Sequence, residues 1–500
     1  MTNRLAALAL PICTLAVCTL AACHPVGPDY ARPKADIPEA FVEAGPWKEA
    51  VPQDTIARGD WWTLFGDPVL NGLQAETVRQ SPDLKAAAAR VLQAQAVAGI
   101  SRSYLYPEVA AGAAGQRFAN NSNFMTLVDP ALISENTSVI TFAYKAMPLW
   151  ATYEIDFWGR VRRMSEATQA EMQASLAAYQ TAMLSLNGEV AQTYFGIRTT
   201  DELLRLIEEN IGVHRATFNL FKSRTTDGLT SDVVLLDVET SLRTIEAQAQ
   251  GLHIQRARLV NKLAVLTGTN PEGFMLHRQP PKGPLERAVP AVPVGLPSDL
   301  LQRRPDIAMA ERELAASNAK IGVAVAAYFP VVSLTSGIGF EGYSVPTIAN
   351  PTANIWGIGF TLFQQLFNAG RISLNVERTR AVYEEKVALY QGVLLKAFQE
   401  VETALATLSL LERQARFQGQ AVDSAGRTAT LASQRFQQGL NSQLDVLIAQ
   451  RNLIGAQTVA VQIDNERLTT TVSLIKALGG GWQDRAVPPG VPSMWVPALK

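Results

Sequence analysis

The chain repeats itself. Pro82-Asp83-Leu84 and Pro305-Asp306-Ile307 each open an alanine-rich stretch, 223 positions apart. The same offset sets Gly99 against Gly322, Tyr106 against Phe329 and Pro107 against Pro330. Further along the offset is 211, pairing Gly159-Arg160 with Gly370-Arg371, Gly228-Leu229 with Gly439-Leu440, Ser231 with Ser442 and Gly268 with Gly479. The 12-residue difference falls wholly between Pro107 and Gly159, in one segment of the first half. Chance does not keep register elsewhere and confine the whole gap to one place, so the chain is a tandem duplication. Whatever it folds into is built twice.

Each half carries the same plan: helix, β-hairpin, very long helix, turn, helix. No proline interrupts the 69 steps from Gly159 to Gly228, and the second half repeats this from Gly370 to Gly439. At about 1.5 Å per residue each is a rod of roughly 100 Å. Helices this long are held by packing along their flanks, as in a coiled-coil cylinder, more than by propensity. Composition agrees, being 47% hydrophobic but only 7% aromatic, which suits packed helices better than an aromatic core. The arms from Leu229 to Leu266 and from Leu440 to Leu478 return from the turns.

Pro107 and Pro330 end the helices that precede the hairpins. In the second hairpin Val332, Leu334, Ile338 and Phe340 share one face, with Ser333, Thr335 and Glu341 on the other. Its partner strand sets Trp356, Ile358, Phe360 and Leu362 against Gly357, Gly359 and Thr361. In the first hairpin Ala151, Tyr153, Ile155 and Phe157 alternate with Thr152, Glu154 and Asp156, whereas the strand from Val109 to Phe118 is mostly Ala and Gly. Such alternation fits a transmembrane barrel strand, and also a half-buried soluble hairpin packed on helices.

The N-terminus favours the membrane. Arg4 precedes an apolar run from Leu5 to Leu20, the pattern of a secretory signal, and Leu20-Ala21-Ala22-Cys23 resembles a lipoprotein cleavage box. Cleavage there makes Cys23 the acylated first residue, and His24 rather than Asp in second place points to the outer membrane. An ordinary signal with an incidental cysteine is the alternative. Cys13 and Cys18 lie inside the signal, so one cysteine remains in the mature chain, too few for an internal disulfide or a cysteine metal site. Past this signal no run of about 18 apolar residues exists to form a transmembrane helix. The net charge of −1 argues against nucleic acid as a partner.

The expected organisation is a signal peptide over 1–22, an extended lipid-anchored tether over 23–66 that is rich in proline, and a first repeat over 67–279 with its membrane hairpin at about 107–157. A proline-rich linker follows over 280–297. The second repeat covers 298–482 with its hairpin at about 330–363, and 483–500 is a tail. Asp67-Pro68 has the residues to cap and open the first helix. The fold class is mainly α with membrane β-hairpins. Four strands cannot close a barrel in lipid, because an open edge leaves backbone groups unpaired. Two copies would give eight strands, a barrel filled by its own side chains; three would give twelve, enough for a polar lumen above a periplasmic helical tube.

Several runs together resemble the TolC-like outer-membrane efflux factors, in their NodT-type lipoprotein form, over nearly the whole mature chain. They are Val26-Gly27-Pro28-Asp29-Tyr30, the run from Trp61 to Pro68, Glu154-Ile155-Asp156-Phe157-Trp158-Gly159-Arg160, Phe367-Asn368-Ala369-Gly370-Arg371 and, most specifically, Leu296-Pro297-Ser298 through Arg304-Pro305-Asp306. The resemblance implies a homotrimeric exit channel. A periplasmic adaptor and an inner-membrane pump would feed it drugs, solvents or other toxic compounds, which it passes passively. It places a pore gate at the periplasmic tip beside the helix turns at Gly228 and Gly439. Asp445 falls on a ring of carboxylates, Phe436 on a gating aromatic, and Asn441 where relatives carry a basic residue. Ile448 stands where some relatives have a second acid. Val234 is the first-half counterpart of Asp445, with Asp232 and Asp237 nearby.

Other classes fit less well. His24, His214, His253 and His277 are scattered without metal-ligand spacing, and no nucleophile elbow or phosphate loop occurs, so neither an enzyme nor a cofactor is expected. A type I polypeptide secretion channel and a structural coiled-coil lipoprotein are the remaining alternatives.

Overall fold

The computed structural model describes residues 25–33, 60–112, 115–120, 141–278, 290, 292, 303–342, 346 and 350–480. Helices α1 (Pro68–Gln80) and α2 (Pro82–Ser103) lead into strands β1 (Glu108–Ala111), β2 (Gly115–Asn120) and β3 (Thr141–Ile155). Helices α3 (Arg160–Thr226) and α4 (Asp232–Leu266) complete the first half. The second consists of α5 (Pro305–Ala326), β4 (Val331–Gly342), β5 (Asn354–Phe363), α6 (Arg371–Gln437) and α7 (Gln443–Ala477). The duplication holds to the residue: α3 and α6 both have 67 residues, α4 and α7 both have 35. Asp67 caps α1 by accepting from the Val69 and Leu70 amides at 2.9 and 3.2 Å, with Pro68 in the first turn. No helix among the described residues is long and apolar enough to cross a membrane.

The chain divides into two compact units. One comprises Met1–Pro33, Gln93–Ala174 and Glu311–Leu389, the other Lys34–Leu92, Ser175–Ala310 and Tyr390–Lys500.

The first unit holds an antiparallel sheet in the order β1-β3-β4-β5, with β2 also on β3. The strand expected from Val109 to Phe118 is thus in two pieces, β1 and β2, that share one neighbour. β4 joins the two repeats by pairing with β3: Tyr153 lies opposite Leu334 and Ile155 opposite Val332. The register slips once between Ala146 and Leu149, around Pro148, which has no N–H to give a central strand. Cross-strand rows confirm the alternation. Leu149, Ala151, Tyr153 and Ile155 align with Ile338, Ser336, Leu334 and Val332, and these with Trp356, Ile358, Phe360 and Leu362. The row continues across three strands as one apolar face, on which Trp356 and Phe360 are each 77% exposed in the single chain. The other face is small and polar, with Thr335 opposite Gly359 and Gly337 opposite Gly357. Its large apolar members include Trp150, Ile355 and Phe363; the Trp150 indole lies over Gly112, where a Cβ would come within 2.9 Å of it.

The second unit is helical. Its largest core cluster gathers Ala191, Tyr194 and Phe195 of α3, Tyr390, Leu394, Ala397, Val401 and Leu405 of α6, and Leu468, Val472 and Ile475 of α7. The α6 positions recur every three or four residues, the spacing of one buried stripe. Trp61 and Trp62 also belong to this core, within a 3-10 turn over Trp61–Phe65, and Phe65 packs on Phe195 at 4.9 Å. The tether expected to run extended to residue 66 therefore ends earlier, because two indoles bury more apolar surface in the core than they could in an open chain.

Candidate gate and anchor sites

The segment after the proposed lipidation position is a strap on the first unit. Val26 donates its amide to the Trp158 carbonyl at 2.9 Å, and Asn318 of α5 donates its Nδ2 to the Pro28 carbonyl at 2.9 Å. Arg163 of α3 is buried and donates to Asp29 at 2.6 Å and to Glu166 at 2.9 Å. Arg32 pairs with Glu311 through two hydrogen bonds, one of 2.9 Å. The approach needs glycine three times over. A Cβ on Gly27, whose φ is +96°, would lie 2.5 Å from the Gly322 Cα, and one on Gly159 would lie 2.5 Å from Pro25. A Cβ on Gly322 would lie 2.9 Å from the Val26 carbonyl oxygen. Residues 25–33 are thus fixed to both repeats, at the point where β3 gives way to α3. Trp158 completes this corner by stacking on Phe329 at 4.6 Å and donating its indole N–H to the Pro330 carbonyl at 2.9 Å. Cys23 itself lies outside the described residues.

The two long-helix turns are built alike. Gly228 and Gly439 have φ of +71° and +73°, and each helix closes with a left-handed glycine cap. Leu229 donates to the Arg224 carbonyl and Leu440 to the Arg435 carbonyl, both at 2.8 Å. Ser231 and Ser442 then stand at the N-caps of α4 and α7. From there the repeats diverge. Asp445 is the third residue of α7 and closes a capping box: its carboxylate accepts from the Ser442 amide at 3.0 Å and the Ser442 hydroxyl at 2.7 Å. The Ser442 hydroxyl and amide hold this exposed carboxyl below the usual carboxylate range. Val234 occupies the same place in α4, where Ser231 makes no such side-chain bond. Three residues further on, Ile448 corresponds to Asp237. Each repeat therefore carries one acid of the pair, at different depths along equivalent helices.

Phe436 and Ile448 are 43% and 40% exposed, and Asn441 is half-buried. The structure gathers Phe436, Asn441, Asp445 and Ile448 around one turn of the second repeat. The Ser-x-x-Asp spacing was a readable sign of the capping box. Nothing local in the sequence announced Arg163 or Asn318, whose partners lie 134 and 290 positions away.

Arg304, one of the two arginines of the inter-repeat run, is consumed by structure. It forks onto Asp306 at 3.0 and 2.6 Å, reaches Glu400 at 2.8 Å and donates to the Ala477 carbonyl at 2.9 Å. Among the described residues no cluster of His, Cys, Asp and Glu could hold a metal ion.

Known proteins share this plan. The model of the outer membrane efflux protein family matches residues 74–269 and again 296–480. The chain is 34% identical over 426 residues to the pyoverdine export outer membrane protein OpmQ of Pseudomonas aeruginosa, covering 85% of this chain and 87% of that one. It is 33% identical over 470 residues to the toluene efflux pump outer membrane protein TtgC of Pseudomonas putida, covering 92% and 93%. The solved outer-membrane channel OprN superposes with a TM-score of 0.80 at 27% identity, over 91% of this chain and 99% of that one. These relatives are channel proteins of the outer membrane and not enzymes. With a duplicated helical fold, an apolar-faced sheet and a family model matched in both halves, the chain belongs to the outer membrane efflux protein family.

Proposed function

We propose that three copies of this chain close a twelve-stranded barrel in the outer membrane, as the exit duct of a tripartite efflux system. A periplasmic adaptor and an inner-membrane pump supply the energy and choose the cargo, small toxic molecules that the channel passes without a cofactor of its own. The sheet carries this reading. Among the described residues it has open edges at β1 and β5 and one apolar face, and in lipid such edges must be paired. Three copies rather than two leave a lumen wide enough to conduct.

Acylation of Cys23 is supported by the strap. Two residues span at most about 7 Å, so the acyl chains would leave the protein beside the end of β3, where a barrel strand meets the membrane boundary. At the tip, Asp445 would form the carboxylate ring, with Phe436 and Ile448 narrowing the pore beside it and Asn441 taking the place of a basic helix tie. Asp237, from the first repeat, restores the acid that Ile448 lacks.

Heat-modifiable migration of outer-membrane fractions tests the assembly: an unheated trimer that boiling converts to monomer is expected, and a monomer under both conditions would refute it. Deleting the gene is expected to sensitise cells to solvents or antibiotics. Loss of one exported polypeptide with unchanged sensitivity would instead assign the channel to secretion.

A further inference from the structure

The repeat offsets relate the strands as well as the helices. Within the second hairpin Val332 lies opposite Leu362, and within the first Val109 lies opposite Ala151. Subtracting 223 from Val332 and 211 from Leu362 gives Val109 and Ala151, so both hairpins have one register. The contact between repeats can be mapped in the same way. β3 runs three residues beyond its last β1 pair, Glu108 with Thr152, because β4 pairs with Tyr153, Glu154 and Ile155 there. β5 stops at Phe363, the counterpart of Thr152, and among the described residues no strand lies beside its next three. Leu366 just past that end is 93% exposed, and Val109 on the opposite edge is 65% exposed.

We infer that β5 of one copy pairs with β1 of the next in a defined register: Leu366 opposite Val109, Gln365 opposite Ala110, Gln364 opposite Ala111 and Phe363 opposite Gly112. This rests on the trimer reading above. Pairing extends β5 to Leu366, as β4 extends β3 to Ile155, and supplies the backbone partners that both edges lack. It also brings Leu366 against Val109 on the lipid-facing side, the place that Ile155 and Val332 hold inside the chain. A slip of one residue would turn every side chain to the wrong face. The seam between copies has no counterpart of the Trp158–Phe329 stack, since Ala369 and Tyr106 stand at those positions, so strand pairing carries more of its strength.

Disulfide trapping in outer membranes of the full-length chain tests the register. The matched pairs are Leu366→Cys with Val109→Cys and Gln365→Cys with Ala110→Cys. Neighbouring pairs alternate between the two antiparallel geometries and face opposite sides, so a pair that disturbs insertion leaves the other to read the register. In one chain β1 and β5 are three strand spacings apart, roughly 14 Å, beyond a disulfide's reach, so any bridge joins two copies. Oxidation is expected to give covalent trimers at least about ten-fold more efficiently than the slipped pairs Leu366→Cys with Ala111→Cys and Gln364→Cys with Val109→Cys, whose residues would be diagonal neighbours. Slipped pairs that bridge as well, or matched pairs that never bridge in chains migrating as trimers, would overturn the register. A parent chain that migrates as a monomer would overturn the trimer and the register together.

Discussion

Adding one methyl group at Gly322 tests the strap that holds residues 25–33. In α5 an alanine is favoured over glycine by about 1 kcal/mol of helix propensity. Against this, the new Cβ would stand 2.9 Å from the Val26 carbonyl oxygen and 2.9 Å from the Arg163 Cγ. Arg163 cannot swing aside, being buried and held by Asp29 and Glu166. The strap backbone has to lift, which weakens the Val26–Trp158 and Asn318–Pro28 hydrogen bonds, each worth about 1 kcal/mol net. Local opening then becomes easier by about 2 kcal/mol, or about thirty-fold. Gly99→Ala, at the same place in the first repeat, meets nothing within 4 Å in its own chain and should leave the strap unchanged. Hydrogen exchange followed by mass spectrometry on peptides covering 25–33 measures both. Acceleration below about three-fold in Gly322→Ala, or equal acceleration in Gly99→Ala, would refute the packing argument.

Three further outcomes are expected. Asp445→Asn should weaken cation preference in planar bilayers while Ser442→Ala, which keeps the carboxylate, should not at neutral pH; equal effects would detach the gate from the charge. Because Ser442 holds the Asp445 carboxyl below the usual range, cation preference should persist as pH falls through that range, and Ser442→Ala should move its loss to higher pH. Burial pushes the Tyr194 phenol up to about 12, with its hydroxyl donating to Asp67 at 2.6 Å. Stability should therefore be intact below about pH 10 and fall by about 2–3 kcal/mol towards pH 12, as the unfolded phenol ionises first. Denaturant titrations of Tyr194→Phe should lack that part of the decline. Finally, Arg304→Lys keeps a charge but not the fork that meets Asp306, Glu400 and Ala477 together, and should cost about 2 kcal/mol in urea unfolding; an unchanged midpoint would show the network to be dispensable.

Whatever depends on neighbours along the chain is written in the residues themselves. Helices of 67 and 35 residues follow from proline-free stretches closed by Gly228, Gly439 and their serine caps, and the faces of β3, β4 and β5 follow from a period of two. The duplication is a covalent pattern and is legible in the residues alone. Tertiary structure alone decided the contacts that bring distant segments together. β3 and β4 could have been separate hairpins, and only their pairing makes one sheet with two open edges. The apparent tether turned out to be fixed at both ends, because Arg163, Asn318 and two facing glycines offer it hydrogen bonds and room, while Trp61 and Trp62 find a core. Such partners leave no local trace: a hydrogen bond across 290 positions constrains neither residue's neighbours, whereas a cap or a strand face constrains several at once.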